Sequence, residues 1–414
     1  MQTPFPIHRQ RFPWRGGNRF QLLVDGEIFF PAMLAAIQAG RHYVLLEMYL
    51  FESGAVADRF IAALADAAAR GARVYLLADD FGARGLSQVD RQRLLDAGVQ
   101  LAFYNPLRYG KLGRNLWRDH RKLLVVDGEV AFTGGAGITN EFAAPHPQPW
   151  HDVMLAVRGP CVADWHNTFA QLWNLTRTVT IQQHRIFGRS AKLASTGDAA
   201  PDCLLEPPEP ASAPSEPRGG GVPRAGSGNG RVALSNPIRK EIKRSLLTRL
   251  RGADQRVWIA SAYFIPSWKI RRKLYQAARR GCDVRLLLPG PYTDHPGVRH
   301  AGRRYYHKLL LSGVRIFEYQ PRFLHAKLLL CDNWVSIGSS NIDRWNFRWN
   351  LEANQEAVDP ALNAELVALF AADFDQSREI LKNEWQHRPW YRRLQERLWG
   401  AVELWLERFS QRNR

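Results

Sequence analysis

The pattern of apolar and polar residues repeats along this chain, so the same series of elements is predicted twice. Tyr43–Phe51 (YVLLEMYLF) and Val257–Phe264 (VWIASAYF) are largely apolar runs of strand length, which predicts that each is a buried strand. Each run is followed by a predicted helix, and the two helices end in similar sequences, AAARGARVYLL over Ala67–Leu77 and AARRGCDVRLLL over Ala277–Leu288. In both sequences a glycine ends the helix, and an apolar run begins the next strand.

A second pair of matching segments extends this repeat. AGVQLAFYNP over Ala97–Pro106 matches SGVRIFEYQP over Ser312–Pro321, and both indicate a helix end, a glycine, a strand and a proline. Strands that alternate with helices are typical of α/β proteins. We therefore predict an α/β fold with two pseudo-symmetric halves, each a mixed, mostly parallel sheet flanked by helices. Halves related by a pseudo-twofold axis would share one active site at their interface.

The composition changes near residue 190, where proline, glycine, alanine and serine begin to predominate. Such a stretch is typical of a linker or a flexible surface insert. The predicted organisation is a first half over 1–189, a linker over 190–230 and a second half over 231–383. In the last segment, 384–414, apolar residues recur at helical spacing among many arginines, which predicts a basic amphipathic helix. Such a helix either lies in a lipid interface or docks on its own domain.

Lysine and arginine outnumber aspartate and glutamate by 57 to 39, which gives a net charge of +18 and a pI near 10.1. A chain this basic favours an anionic partner, either nucleic acid or the anionic leaflet of a membrane, and charge alone does not choose between them. The four cysteines form no CxxC pair and no cluster with histidine. The sequence therefore predicts neither a disulfide framework nor a structural zinc site.

No segment is predicted to cross a membrane. The most apolar runs, Phe29–Ala39 and Tyr43–Phe51, are shorter than the roughly 20 residues that a spanning helix needs, and Pro31 or Glu47 interrupts them. The start of the chain lacks the apolar stretch of a secretory signal. We therefore expect a cytoplasmic protein.

The strongest candidate for chemistry is a motif that occurs once in each half. The first half contains DHRKLLVVDGEVAFTGG and the second contains LHAKLLLCDNWVSIGSSN, and both read His-x-Lys-x-x-x-x-Asp. A single match of this kind arises easily by chance. Here the motif occurs twice, and each copy follows the same predicted series of glycine, strand and proline. This repeated context indicates a shared site. The motif residues are His120, Lys122, Asp127, His325, Lys327 and Asp332.

The spacing within each motif has a structural meaning. Side chains at positions i and i+2 of a strand lie on the same face, so the histidine and the lysine would project together. The aspartate begins a predicted hairpin turn, where it would fix the turn or a histidine tautomer rather than attack a substrate. The returning strand ends in small residues that let backbone N–H groups and short side chains approach a phosphate. These candidate phosphate contacts are Gly134, Gly135, Ser339 and Asn341.

Two lysines and two histidines in one site suit the chemistry of a phosphodiester. The lysine ammonium groups would neutralise the non-bridging oxygens. Histidine titrates near neutral pH, so one imidazole can be deprotonated while the other is protonated.

The duplicated motif in a two-half chain resembles the phospholipase D superfamily of phosphodiester transferases. Within that superfamily, three segments look like bacterial cardiolipin synthases, particularly the type without N-terminal membrane spans. These segments are GNRFQLLVDGEIFFPAMLAAI near the start, RDHRKLLVVDGEVAFTGG, and WHDVMLAVRGP over Trp150–Pro160. The likeness covers nearly the whole chain apart from the linker and the C-terminal segment.

The resemblance implies covalent catalysis through a phosphohistidine, with no metal and no other cofactor. By this likeness His120 would attack phosphorus, while His325 would protonate the leaving alkoxide and then deprotonate the acceptor hydroxyl. A carboxylate from each half often supports these histidines in the family, and Asp152 and Glu352 stand at the matching places. Gly137 departs from the pattern, because relatives commonly have asparagine there.

The function expected from this likeness is cardiolipin synthesis, in which a phosphatidyl group moves from one phosphatidylglycerol to a hydroxyl of another and glycerol is released. The expected partners are phosphatidylglycerol and an anionic phospholipid surface, with peripheral attachment at the cytoplasmic face of the cell membrane. A basic insertion with apolar side chains, Leu107–Trp117, precedes His120 and would suit such a lipid. Nucleic acid is not expected as a partner, and the oligomeric state stays open.

Three alternatives remain from the sequence. The same residues could serve a phospholipase D that hydrolyses lipid to phosphatidic acid. They could also serve a phosphodiesterase that acts on nucleic acid, which the positive charge would suit. The third alternative is a non-catalytic protein that binds anionic lipid or nucleic acid, although two complete motifs argue against it.

Overall fold

The computed structural model describes residues 11–107, 112–187, 226–390, 394 and 398–399. The strands of the first half are β1 (Arg15–Val24), β2 (Tyr43–Met48), β3 (Arg73–Asp79), β4 (Gln100–Tyr104), β5 (Arg118–Asp119), β6 (Lys122–Val126), β7 (Val130–Gly134) and β8 (Val153–Arg158). Those of the second half are β9 (Gly228–Ser235), β10 (Arg256–Ser261), β11 (Phe264–Ile265), β12 (Asp283–Pro289), β13 (Arg315–Tyr319), β14 (Lys327–Cys331), β15 (Trp334–Gly338), β16 (Ile342–Asp343), β17 (Asn350–Val358) and β18 (Ser377–Glu379).

Helices are distributed along both halves. The first half contains α1 (Gly26–Ala39), α2 (Ala55–Ala69), α3 (Gln88–Asp96), α4 (Leu112–Asn115) and α5 (Cys161–Phe187). The second half contains α6 (Glu241–Gly252), α7 (Trp268–Arg279), α8 (Pro296–Arg303), α9 (Tyr306–Leu311), α10 (Asn346–Trp349), α11 (Pro360–Asp375) and α12 (Lys382–Gln386).

One mixed sheet runs through both halves. Its order is β4-β3-β2-β6-β7-β8-β1 in the first half, continued by β9-β17-β15-β14-β10-β12-β13-β18 in the second. The antiparallel pair β1 and β9 joins the halves. Each half repeats the same plan, since a parallel trio (β2-β3-β4 or β10-β12-β13) adjoins antiparallel strands that include the motif strand β6 or β14. The predicted α/β fold with two pseudo-symmetric halves is confirmed.

The sheet differs from the prediction in one respect, because it is not mostly parallel. Along the order of strands given above, parallel pairing is limited to the trio in each half, and the other neighbouring strands are antiparallel. The short strand β5, which lies beside this order, also pairs in parallel with β17. The reason lies in the motif. Its strand returns at once through a short hairpin, so the strands on that side of each half alternate in direction.

Helices cover both faces of the sheet. On one face α1 and α2 bury Phe29, Met33 and Phe60 against the first half, and α6 and α7 cover the second half. On the other face α5 and α11 bury Trp165, Trp173, Phe370 and other side chains in a core that both halves share. Each large apolar side chain buried in this way contributes roughly 1.5–3 kcal/mol, so the shared core is a major reason why the halves associate.

The predicted helix ends appear in both copies of the repeat. Helix α2 ends at Ala69 and α7 at Arg279, and Gly71 and Gly281 follow with φ of 92° and 93°. Residues with side chains rarely adopt this left-handed conformation, which explains why a glycine stands at the same place in each half.

Two of the predicted boundaries need adjustment. Strand β9 begins at Gly228, inside the predicted linker 190–230, because this segment pairs with β1 and β17. Helix α12 (Lys382–Gln386) crosses the predicted boundary at 383. Most of the linker and most of the predicted C-terminal helix lie outside the described residues. In the described part of the chain, no helix has the length and apolar character needed to span a bilayer.

Candidate active site

The first motif histidine is held by the second half of the molecule. Strand β5, just before His120, pairs in parallel with β17, and the His120 backbone N–H donates to the carbonyl of Leu351 at 3.0 Å. The next residue on β17 is Glu352. Its Oε1 lies 3.0 Å from Nδ1 of His120, but the angle falls short of a good hydrogen bond. Because Nδ1 faces the carboxylate, Nε2 is the ring nitrogen left for a substrate.

The second motif histidine is held in the same way by the first half. The His325 backbone N–H donates to the carbonyl of His151 at 2.8 Å, and His325 Nδ1 lies 2.6 Å from Oδ2 of Asp152. The supporting carboxylates are therefore exchanged between the halves. Each histidine acquires its carboxylate only when the two halves are joined, which the sequence did not show.

Both histidines line one cavity of about 1040 Å³ between the halves. The structure therefore brings together His120, Lys122, Gly135, His325 and Asn341, all of which were predicted site residues. Three further predicted residues do not line the cavity but are buried behind the residues that do, in contact with the two histidines. They are Asp152, Glu352 and Lys327. No group of three or more His, Cys, Asp or Glu side chains within the described ranges is arranged to hold a metal ion.

The two lysines are buried beside the motif histidines. Nζ of Lys122 donates to the His120 carbonyl at 2.7 Å and lies 5.1 Å from the centre of the Tyr49 ring. Nζ of Lys327 lies 2.9 Å from Nδ1 and 3.1 Å from Nε2 of His325. Burial lowers the pKa of Lys122 to about 7 and that of Lys327 to about 8, although Glu352 and Asp152 oppose this shift. An anionic phosphate in the cavity would favour the charged form of both.

Both histidines favour the neutral form. Burial, followed by the charges of Lys122 and Lys327, holds the pKa of His120 well below its usual value. Burial and Lys327 lower the pKa of His325 to about 4, while Asp152 acts in the opposite direction. A neutral imidazole carries the lone pair that a nucleophile or a general base needs.

The two carboxylates differ in charge. Burial raises the pKa of Glu352 to about 8, although Lys122 and the Ser339 hydroxyl oppose the shift. Burial would also raise the pKa of Asp152, but Lys327 and His325 outweigh it and the pKa is lowered. His325 therefore has a fully ionised partner at neutral pH, whereas the partner of His120 is mainly protonated.

The motif aspartates lie outside the cavity, at the far end of each motif strand. Asp127 accepts hydrogen bonds from the backbone N–H groups of Arg41, His42 and Tyr43, and Asp332 accepts three in the same way from residues 254–256. Both have φ of 51°. The inclusion of Asp127 and Asp332 among the catalytic residues is therefore corrected. The prediction left open whether these aspartates fix the turn or a histidine tautomer. Their hydrogen bonds attach the turn to the start of the neighbouring strand, and neither aspartate contacts a motif histidine.

Two of the four predicted phosphate contacts also need correction. Gly135 and Asn341 line the cavity, whereas Gly134 and Ser339 do not. Gly134 is the last residue of β7, paired with Met154, and a side chain there would clash with the backbone of β8. The Ser339 hydroxyl is fully buried and donates to Glu352. Ser339 therefore supports the carboxylate instead of meeting the substrate.

Aromatic residues that were not among the predicted site residues surround the histidines, including Tyr49, which its place on a buried strand had favoured as a core residue. The ring of Tyr49 lies 4.7 Å from that of His120, and the Trp150 ring lies 5.2 Å from that of His325. Phe142 packs against His325 on another side, at 5.4 Å. Trp150 stands two residues before Asp152, so its place beside a predicted carboxylate was the available signal.

A buried ion pair beside the site joins the halves through His151. Its Nδ1 lies 2.8 Å from Asp25 and its Nε2 lies 3.1 Å from Asp373. Burial alone would lower the pKa of His151, but the hydrogen bonds to Asp25 and Asp373 outweigh it and raise the pKa to about 9. His151 is therefore protonated at neutral pH, and its carbonyl positions His325 at the same time.

This arrangement predicts a pH-dependent stability. The stabilisation by protonated His151 is complete below about pH 6.5, the ordinary histidine pKa, and is lost as pH rises towards 9. The shift corresponds to roughly 3 kcal/mol of unfolding free energy. We expect His151→Gln to lose most of this pH-dependent term. The measurement is the unfolding free energy from denaturant titrations between pH 6.5 and 9. It compares the wild type with His151→Gln and with His42→Gln, a control at an exposed position. A His151→Gln protein with the wild-type pH slope would contradict the assignment.

Comparison of the sequence with known proteins identifies related chains. Residues 33–173 and 246–376 match the family described as the phospholipase D-like domain of cardiolipin synthase. A protein named cardiolipin synthase A from Pseudomonas aeruginosa (strain LESB58) is 33% identical over 402 residues, which cover 94% of this chain and 73% of that protein. Cardiolipin synthase A from Pseudomonas putida (strain W619) is 32% identical over 375 residues, 89% of this chain and 71% of the relative.

Solved structures show the same fold. The phosphatidylserine synthase of Haemophilus influenzae Rd KW20 superposes with a TM-score of 0.67 over 96% of both chains, at 12% sequence identity. The polyphosphate kinase of Porphyromonas gingivalis superposes with a TM-score of 0.55 over 88% of this chain and 49% of that one, at 14% identity. At these identities the likeness concerns the fold alone.

Proposed function

Because the chain belongs to the phospholipase D-like family of cardiolipin synthases, we propose that it forms cardiolipin by phosphatidyl transfer. One phosphatidylglycerol would donate its phosphatidyl group to a hydroxyl of another through a phosphohistidine, and glycerol would be released. The observation that carries this proposal is the single cavity lined by both motif histidines, each with a carboxylate from the opposite half behind it.

In the first step, neutral His120 attacks phosphorus through Nε2. A bond forms between that nitrogen and phosphorus, and the bond from phosphorus to the glycerol oxygen breaks. His325 gives its proton to the departing alkoxide. The anionic phosphodiester raises the proton affinity of His325 when it enters the cavity, and the Asp152 carboxylate supports the imidazolium. Lys122 and the backbone around Gly135 stabilise charge on the non-bridging oxygens.

The second step reverses the first with a different alcohol. Neutral His325 takes the proton of the acceptor hydroxyl, the oxygen attacks phosphorus, and the bond from phosphorus to His120 breaks. His120 leaves as a neutral imidazole, and His325 ends protonated and ready for the next donor. Water in place of the alcohol would give phosphatidic acid.

The difference between the two carboxylates supports this division of roles. An acid and base catalyst needs a partner that stabilises its charged form, and Asp152 is ionised beside His325. A nucleophile needs its lone pair, so His120 has to stay unprotonated. Burial raises the pKa of Glu352 to about 8, and this carboxyl group therefore carries too little negative charge to favour a proton on His120.

The mouth of the cavity favours a lipid over a nucleic acid. Phe81, Trp345 and Trp399 line the cavity and are 42–47% exposed, and Arg344 and Arg348 line it beside them. Exposed aromatic rings with arginines suit the boundary between headgroups and acyl chains. Trp399 belongs to the predicted C-terminal helix. The exposed aromatic rings and the arginines support peripheral attachment at an anionic membrane. We propose the cytoplasmic face of the cell membrane as the site of attachment.

The test is to identify the products formed from phosphatidylglycerol vesicles by mass spectrometry. We expect cardiolipin and glycerol in equal amounts from the wild type and neither from His120→Ala. Phosphatidic acid as the main product would instead establish a hydrolase. An inactive wild type that cleaves single-stranded DNA would favour the nucleic-acid phosphodiesterase.

A further inference from the structure

One wall of the cavity carries a hydroxyl and a carboxylate that the proposed reaction does not use. Tyr263 follows β10 and Asp294 precedes α8, and both line the cavity together with His325. The Tyr263 hydroxyl donates to Oδ2 of Asp294, whose side chain is 22% exposed. The backbone N–H of Tyr263 donates to the Asn341 side chain at 3.3 Å, which ties this wall to the second motif.

The two ends of the cavity differ at this point. In the first half, the tyrosine that follows β2 is Tyr49, whose ring lies over His120 and beside the Lys122 ammonium. Tyr263 instead lies against Asp294, with the His295 ring 5.6 Å away. One side of the site is therefore cationic and aromatic, and the other offers a carboxylate and a phenol oxygen.

Asp294 is close enough to act on the reacting groups of the second half. Burial and Lys327 lower the pKa of His325, and the Asp294 carboxylate is among the charges that oppose this shift. It opposes the lowering of the Lys327 pKa in the same way. Asp294 and His325 line the same cavity, so this carboxylate borders the space in which His325 would receive a proton from the acceptor.

A carboxylate on this wall is unsuited to a phosphate and suited to hydroxyl groups. It repels the anionic phosphodiester, which belongs near the lysines, but accepts hydrogen bonds from neutral alcohols. Since the Tyr263 hydroxyl donates its hydrogen bond to Asp294, the lone pairs of the phenol oxygen can accept a hydrogen bond as well. These two acceptors can receive a hydrogen bond from a second hydroxyl that stands next to the reacting one, as in a vicinal diol.

We infer that Asp294 and Tyr263 form a subsite that holds the vicinal diol of a glycerol headgroup as the reacting alcohol. This rests on the proposed function and specifies its alcohol. The secondary hydroxyl donates to Asp294 or Tyr263, while the terminal hydroxyl faces His325. His325 takes the terminal proton, the oxygen bonds to phosphorus, and the bond from phosphorus to His120 breaks. The same subsite holds glycerol as it departs in the first step, because the two steps mirror each other.

The test compares two soluble acceptors that differ by one hydroxyl. Phosphatidylglycerol vesicles are supplied with equal concentrations of 1,2-propanediol and 1-propanol, and mass spectrometry gives the ratio of the two phosphatidyl alcohols. We expect the wild type to favour the diol by about 10-fold, and Asp294→Asn and Tyr263→Phe to bring the ratio close to one. The ratio is independent of total activity, so slower variants are still informative.

A matched control removes the same charge elsewhere. Asp283 begins β12, bonds to Arg285 and does not line the cavity, so Asp283→Asn should keep the wild-type ratio. Tyr263→Phe keeps the aromatic ring, and thermal unfolding verifies that each variant is folded. A wild type that uses both alcohols equally, or folded variants that keep the preference for the diol, would overturn the subsite alone. A wild type that forms only phosphatidic acid would contradict the proposed transfer as well.

Discussion

Replacing His120 with alanine is expected to reduce turnover of phosphatidylglycerol by at least about 10³-fold, because no phosphorus–nitrogen bond can then form. His325→Ala should lower it by roughly 10²- to 10⁴-fold, the usual contribution of general acid–base catalysis. The two losses have different origins, and a substrate that needs no acid catalyst separates them. A phosphatidyl ester of p-nitrophenol has such a leaving group.

With that ester, His325→Ala should release one equivalent of p-nitrophenol in a burst and then stall. Its phosphohistidine forms but lacks the base that activates the acceptor. His120→Ala should show no burst. His42→Ala serves as the control and should behave as wild type, because the His42 side chain is exposed and only its backbone N–H bonds to Asp127. A burst from His120→Ala and none from His325→Ala would reverse the assignment of nucleophile and acid.

The second large effect is expected at Asp152. Asp152→Asn removes the negative charge beside His325, so the pKa of that histidine falls further and the enzyme loses its acid and base. We expect a loss of roughly 10²- to 10⁴-fold in turnover of phosphatidylglycerol. The burst of p-nitrophenol from the activated ester should persist, since that step needs no proton.

The matched change in the other half is Glu352→Gln. Because the raised pKa of Glu352 keeps it mainly protonated at neutral pH, the amide replaces a group of similar charge. We expect a loss of only about 10-fold, from altered hydrogen bonds to Ser339 and altered placement of His120. Steady-state rates at pH 7 for both variants measure the asymmetry. Equal losses would show that both carboxylates act in the same charge state.

Long-range pairing explains why the sequence predicted the site residues better than their partners. The motif spacing indicates that a histidine and a lysine share a face, since this follows from the local geometry of one strand. The attachment of His120 to Glu352 depends on β5 and β17, which lie far apart in the sequence. No local pattern records that pairing, so the exchange of carboxylates between the halves was not predicted.

The errors have the same physical origin. Ser339 follows the strand that leads back from the motif turn, as a phosphate contact would, but its hydroxyl is buried on Glu352. Asp127 lies in the motif, but its carboxylate holds the backbone of a neighbouring strand at the far end. In both cases the residue type and position were right for a role at the site, and a contact made by the folded sheet gave the side chain another role.

The sequence by itself determined the repeat, the α/β architecture, the two motifs and the family likeness, because periodicity, glycine positions and short spacings are local properties. Only the tertiary structure decided which carboxylate backs which histidine, how burial separates the pKa values of Asp152 and Glu352, and which wall of the cavity carries Tyr263 and Asp294. These properties depend on distances across the interface between the halves and on the exclusion of water there, which arise only when the chain is folded.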